Sequence, residues 1–289
     1  MKRIVLCVAL LWPGLAVAVD GILEINQSCA VETGCFPGDT PGFPVTIVGS
    51  AGRSYRLTSD LGFFGQDTTA IDVTAEDVTI DMAGFRIACS SFVPPSTIQP
   101  CSVTGPGTGV GIKGGKRIHV RDGTLVGMPM AGVLLGDQCT VRGLRVTKSG
   151  SASSGNGIRC MEGGTIEGNS VSESVSTNST AVSGGFGSIV TGNAVFRNEG
   201  DGIFVGIGST VSGNSVFANT GDGIQSPGGS LIEQNSVSFN DGWGLLLTEP
   251  GIGYRANVVY ANGNPLNSSN VSGGVDMGGN MCGGNTTCP

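Results

Sequence analysis

Four side chains carry most of the chemistry this sequence offers: Asp201, Asp222, Arg121 and Arg142. Asp201 and Asp222 occupy the same place in two Gly-Asp-Gly-Ile tetrapeptides, and each pair of like residues is 21 positions apart. If the chain stacks on itself once per 21 residues, the two carboxylates lie about 5 Å apart by inter-strand spacing. That separation suits the acid and nucleophile of a retaining glycosidase, and it also suits a calcium site. Calcium is the one cofactor the sequence invites, and no other is expected. Any residue repeated once per coil acquires this separation, however. Asp is also a good turn former in Asn-x-Gly-Asp-Gly-Ile, which accounts for both residues without chemistry. Arg121 and Arg142 align with Asp81 and Glu167 on one outward row. Their guanidinium forks match the carboxylates of an acidic sugar, and the alternative is a salt-bridge ladder on a solvated face.

Other candidates are weaker. His119 is the only histidine. It alternates with Ile118 and Val120, so it points outward between Arg117 and Arg121, and alone it cannot complete a histidine cage or a serine triad. Phe196, Phe217 and Tyr260 share a register interrupted by Ser238, and Trp243 replaces the turn aspartate. With aromatics at 6% of the chain, these rings are expected to pack on one another or on a loop rather than form a carbohydrate track.

The element that must position these residues is a repeat. Asn193, Asn214, Asn235 and Asn257 are spaced by 21, 21 and 22 residues, and Asn198, Asn219, Asn240 and Asn262 keep the same rhythm. Periods of this length mark repeat architectures. Each unit holds short runs of alternating apolar residues between Gly and Asn, and none sustains a helical period. Glycine, 51 of 289 residues, would weaken any helix at about 1 kcal/mol per residue. A unit so short cannot bury its own apolar face and must stack. Stacking predicts one inward ladder of Val195, Val216, Val237 and Val258, and another of Ile203, Ile224 and Leu245. The asparagines are expected to take left-handed turn conformations and to bond between coils. The pattern is all-β: a single-stranded parallel β-helix of roughly eight coils.

The Gly-Asn-x-Val-x-x-Asn-x-Gly-Asp-Gly-Ile repeat resembles those of the pectate-lyase-like superfamily over roughly Val73 to Asn264, and the resemblance implies the right-handed form of the parallel β-helix. That superfamily holds polysaccharide lyases, hydrolases and epimerases, and many members without established activity, so fold does not supply function. The Arg121/Arg142 row resembles the groove of acidic-polysaccharide lyases, where arginine lies near acidic calcium ligands. Copper binding also occurs in the superfamily. Met128-Pro129-Met130 offers two thioethers for it, but no histidine accompanies them. The Asn-Thr-Asp, Gly-His-Gly and Arg-Ile-Lys motifs of polygalacturonases are missing. So are the Asp-Pro-His signature of alginate epimerases and the paired arginines of pectate lyases.

Met1 to Ala18 reads as a secretory signal peptide: Lys2 and Arg3, an apolar run from Ile4 to Leu11, then Ala16-Val17-Ala18 for cleavage. Its removal leaves 13 basic against 22 acidic residues, a net −9, with no electrostatic footprint for nucleic acid or anionic lipid. No other stretch could span a bilayer as a helix. Nine cysteines become eight once Cys7 goes, an even number suited to an oxidising compartment. Cys29 with Cys35, Cys89 with Cys101, and Cys282 with Cys288 form local pairs. Cys139 and Cys160 remain by elimination, although aligning the coils does not set them opposite each other.

The expected organisation is signal peptide 1–18, N-terminal segment and cap 19–72, β-helix 73–264 and C-terminal cap 265–289. Ser149 to Asn156 and Ser172 to Gly187 read as surface loops. Function reads as a secreted or periplasmic protein that binds, or even processes, polysaccharide. The alternative is a non-catalytic structural or surface-interaction rod. Oligomeric state is open.

Overall fold

The computed structural model describes residues 21–49, 53–93, 97–103, 107–151, 155–263, 270–283 and 288. The expected signal peptide, Met1 to Ala18, lies outside the described residues. The chain forms a right-handed parallel β-solenoid of about nine turns, with almost no helix. Each turn contributes one rung to three ladders. The first runs from Leu23–Ile25 through Ser54–Leu57 to Val275–Asp276, and the second from Leu61–Phe64 to Met281–Cys282. The two merge into one 20-stranded sheet because His119–Val126 and Thr140–Thr147 run through both. The third is a 10-stranded sheet from Val45–Ile47 to Val271–Gly273. Among the described residues only Arg86–Val93 and Thr97–Pro100 pair antiparallel, and the Cys89–Cys101 bridge ties off that hairpin.

Most rungs are three residues long, with the middle or the two outer residues buried. Such runs are too short to form a sheet alone, so stability comes from vertical stacking. The ladder Ile203, Ile224, Leu245 forms as the period predicts, and all three side chains are fully buried. In the neighbouring ladder Val195, Val216 and Val237 pair in turn, but the fourth member is Val259. Val258 instead points to solvent. The inward valine always follows its asparagine by two, and the 22-residue step before Asn257 carries that position to Val259. Each buried aliphatic side chain contributes about 1.5–3 kcal/mol relative to exposure.

The asparagines do not adopt the left-handed conformation themselves. The residue before each does: Gly168, Gly192, Gly213, Gln234 and Ala256 in one series, and Arg197, Ala218, Phe239 and Ala261 in the other, all between φ +52° and +65°. That bend turns the following asparagine inward. Asn169, Asn193, Asn214, Asn235, Asn257 and Asn280 stack as a fully buried column, each Nδ2 donating to the next Oδ1 at 3.0–3.1 Å. Asn198, Asn219, Asn240 and Asn262 do the same at the next corner, at 2.8–2.9 Å. A buried amide without partners would cost about 1–3 kcal/mol, and here each satisfies its neighbour.

Parallel pairing begins before residue 73 and continues past 264. Leu23–Ile25 pairs with Tyr55 to Leu57, Val45–Ile47 with Ile71–Val73, and Val259 with Cys282. The early coils lack the paired asparagines, so their period is invisible in the sequence. The short helical segment Cys29–Thr33, bridged Cys29–Cys35, precedes the packing of Phe36 on Tyr55. Ser172 to Gly187 is mostly strand rather than loop. Val175–Gly184 joins the third ladder through an irregularity between Val175 and Thr180, its serines hiding a rung held by backbone bonds. Ser149 and Ser151 are likewise buried.

Cys139 and Cys160 are bonded, with Cα atoms 6.0 Å apart and both side chains buried. In register Cys160 lies beside Leu135, not Cys139. Cys139 lies past the corner that follows Leu135, so the bridge joins one coil to the next across a turn. Cys282 and Cys288 are also bonded.

Candidate functional site

Arg121 and Arg142 stand on the outward row of the first ladder. Its rungs run Arg56, Asp81, Arg121, Arg142, Glu167, Thr191, Ser212, Glu233 and Arg255. Backbone alternation puts all nine on one face. Arg121 Nη2 lies 2.8 Å from Asp81 Oδ2, so that fork is engaged. Arg142 reaches Glu167 only at 4.0 Å and makes no hydrogen bond among the described residues. At the far end Arg255 closes on Glu233 at 2.7 Å.

Beside Arg142 the backbone bends at Gly143, with φ +63°. After the bend Leu144 turns inward and Arg145 turns out, exposed and without an ion pair among the described residues. Arg142 and Arg145 therefore flank the same corner, on the first and second ladders respectively. The corner is a shallow groove of about 600 Å³. Gly143, Gly168 and Gly192 form its floor, with Asp122, Thr124, Arg145, Asn169 and Ser170 around it. A Cβ on Gly143 would lie 2.6 Å from Asp122 Oδ1, so that carboxylate rests over the bare glycine. Arg142 and Glu167 border an adjoining hollow that shares Asp122 and the glycines. Two guanidinium forks above a glycine floor can receive carboxylate or sulfate groups of a ligand lying along the coils.

Asp201 and Asp222 are elsewhere, on the third ladder's corner. Asp201 Oδ1 accepts the backbone N–H of Asp222 at 2.8 Å, and Asp222 Oδ1 accepts that of Trp243 at 2.6 Å. Burial pushes both carboxyls above the usual carboxylate range, partly offset by these amide bonds. They tie one coil to the next and do not join the arginine groove. Among the described residues no cluster of three or more His, Cys, Asp or Glu side chains is arranged to hold a metal ion.

His119 is exposed, as alternation requires, with Ile118 and Val120 buried on either side. Met128 is fully buried in the core while Met130 is exposed, so the two thioethers do not face a common site. The outward aromatic row holds Phe196, Phe217, Ser238 and Tyr260 in register. Phe239 fills the gap beside Ser238, its ring 5.6 Å from Phe217 and 6.0 Å from Tyr260.

Fold and surface together define a right-handed parallel β-helix protein with a polar groove on an outer corner. The chain belongs to the family described as periplasmic copper-binding protein (NosD), whose model matches residues 92–275. No curated protein sequence matches. Among solved structures the Dettilon tailspike protein (gp208) is similar at 12% identity and TM-score 0.49, over 82% of this chain and 55% of that one. This chain thus spans about half the tailspike's length. The periplasmic alginate epimerase AlgG is similar at 14% identity and TM-score 0.47, over 83% of this chain and 69% of that one.

The residues present do not fit the copper in the family's description. Protein copper sites draw on imidazole, thiolate and thioether. All eight described cysteines are in disulfides, so no thiolate is left to join the exposed thioethers of Met130, Met161, Met277 and Met281, while Met128 is sealed in the core and the single imidazole is flanked by arginines on the first ladder.

Proposed function

We propose that this protein is an exported binding module for acidic polysaccharide, which it holds along the corner groove between Arg142 and Arg145. The observation that carries this is the pair of exposed, weakly engaged guanidinium groups on one groove of a chain whose formal charge is −7. Arg145, without an ion pair among the described residues, and Arg142, only loosely held by Glu167, leave positive charge beside the Asp122 carboxylate that an anion from outside can meet. Four disulfides and the family's periplasmic description support an oxidising, extracytoplasmic compartment. Binding is favoured over turnover because Asp201 and Asp222 are engaged with backbone amides away from the groove.

The test is titration calorimetry with polygalacturonate and with alginate at low salt, comparing the mature protein with Arg142→Ala/Arg145→Ala. Loss of about tenfold or more in affinity supports the groove, each charged hydrogen bond contributing about 1.5–3 kcal/mol. Unchanged binding overturns it. Ultraviolet absorbance of the same mixtures, with calcium and with chelator, reports any unsaturated uronate and so separates a lyase from a binder. A second reading, the passive rod, is favoured by the closed Arg121–Asp81 and Arg255–Glu233 rungs, and it predicts no binding at all.

A further inference from the structure

Past the arginine groove, toward the C-terminus, the same outer face of the second ladder changes character. Its outward rows begin with Arg86, Thr124 and Arg145 and pass through Ser170 and Ala194. They then reach Phe217, Phe239, Val258, Tyr260 and Met281, each 39–45% exposed. The three rings follow one another up the solenoid, one per coil, with edge-to-face angles of 68° and 77°. Phe217 and Tyr260 lie two coils apart, about 9.6 Å by strand spacing, so both stand at a similar tilt to the ring between them. Ser215 and Ser236 flank the rings on the same strands, exposed. Arg197 and Asp241 lie exposed near the next corner.

The rings form a column one ring wide over three coils, with Val258 and Met281 in the column beside it. Phe217, Phe239 and Tyr260 with the adjacent column of Val258 and Met281 make five half-exposed side chains, well short of the roughly 800 Å² per partner that a stable protein interface buries. A single extended polymer strand lying along the axis has the matching shape. Aromatic faces bind the apolar faces of pyranose rings, and the serine hydroxyls and Arg197 and Asp241 beside them can bond ring hydroxyls. The strip continues the face that bears Arg145, about five coil spacings away from Tyr260, or roughly 24 Å.

We infer that Phe217, Phe239 and Tyr260 form a stacking subsite for uncharged pyranose rings of an extended polysaccharide. The inference rests on the carbohydrate-binding reading above and extends it. The ligand class becomes a polymer that presents acidic groups to Arg142 and Arg145 and neutral ring faces to the aromatic strip.

Cellohexaose, a neutral extended oligosaccharide, probes the strip apart from the groove, with calorimetry as the readout. Binding is expected for the unmodified protein. It should fall about tenfold in Phe217→Ala/Tyr260→Ala and be retained in Tyr260→Phe, which keeps the ring and serves as the folding control. Arg142→Ala/Arg145→Ala should leave cellohexaose binding unchanged while losing polygalacturonate. If polygalacturonate binds and cellohexaose does not, the strip proposal is overturned and the groove stands. If cellohexaose binds and polygalacturonate does not, the groove fails and the strip stands. A change in sedimentation coefficient on Phe217→Ala/Tyr260→Ala, with sugar binding unaltered, would assign the strip to a second copy of the chain and overturn the inference.

Discussion

Asn193 Nδ2 donates to Asn214 Oδ1 at 3.0 Å, and the backbone N–H of Asn193 donates to the same oxygen at 2.9 Å. One side-chain carbonyl thus satisfies two buried donors of the coil before it, while its own Nδ2 reaches the carbonyls of Val190 and Ser212. The unit repeats from Asn169 to Asn280 and turns a corner that apolar packing alone would leave full of unpaired amides.

Asn214→Ala should therefore destabilise the protein by about 3 kcal/mol or more, since several buried groups lose partners at about 1–3 kcal/mol each. Ser215→Ala, exposed on the next residue, should stay within about 0.5 kcal/mol. Denaturant melts followed by far-ultraviolet circular dichroism compare the two. Equal midpoints would show that the column is not a source of stability.

Two glycines separate backbone strain from close packing. Gly168 sits at φ +63° with nothing near a would-be Cβ. Gly168→Ala should cost only the left-handed penalty of about 1–2 kcal/mol. At Gly202 a Cβ would lie 2.5 Å from Val216 Cγ1 and 2.6 Å from the Gly223 carbonyl oxygen. That backbone atom cannot yield without opening a coil, so Gly202→Ala should lower the melting temperature clearly more than Gly168→Ala. The reverse order would put the sensitivity in backbone conformation instead.

The regular half of the solenoid was legible in the sequence because Ile203, Ile224 and Leu245 recur at a fixed period and each must face inward. Val258 and Val259 show the limit. With two valines in a row, only the distance from Asn257 tells which one is buried. Arg121 and Arg142 could be set on one row by simple alternation. Arg145 could not, because in an unbroken strand an odd offset from Arg142 sends it to the opposite face. The left-handed bend at Gly143 resets that parity, and the repeated Gly-Asn dipeptides downstream are the signal that could have revealed it. Phe239 was hidden in the same way, itself occupying a bend at φ +57°. The coils at Val45–Ile47 and Ser54–Leu57 were hidden because no side chain repeats there, although the backbone ladder does.

Asp201 and Asp222 make stability depend on pH in a direction opposite to the usual carboxylate. Burial raises their folded-state pKa above the ordinary value of 3.8, so between that value and the raised one the folded chain holds more protons than the unfolded chain. Their contribution to stability is therefore greatest at low pH and falls as pH rises through the window. Asp222→Asn keeps an oxygen for the Trp243 amide without the buried charge. It should match or exceed the parent at pH 7, and the difference should close as pH approaches the ordinary carboxylate value. A variant markedly less stable than the parent at pH 7 would mean that the carboxylate's charge strengthens its amide bond by more than burial costs.

Copper affinity tests whether the family's description extends to this chain's own donors. Tight copper sites need two or more soft or imidazole ligands converging on one point. Here the thiols are spent in disulfides, His119 is the single imidazole, and Met128 and Met130 face opposite ways. Competition of the mature, oxidised protein against a chromophoric copper(I) chelator should show no stoichiometric site, and His119→Ala should change nothing. Binding that appears only after reduction would trace to freed thiols such as Cys139 and Cys160. One equivalent held by the oxidised protein and lost in His119→Ala or Met130→Ala would establish a site on the outer surface, and with it a role for copper that the groove does not explain.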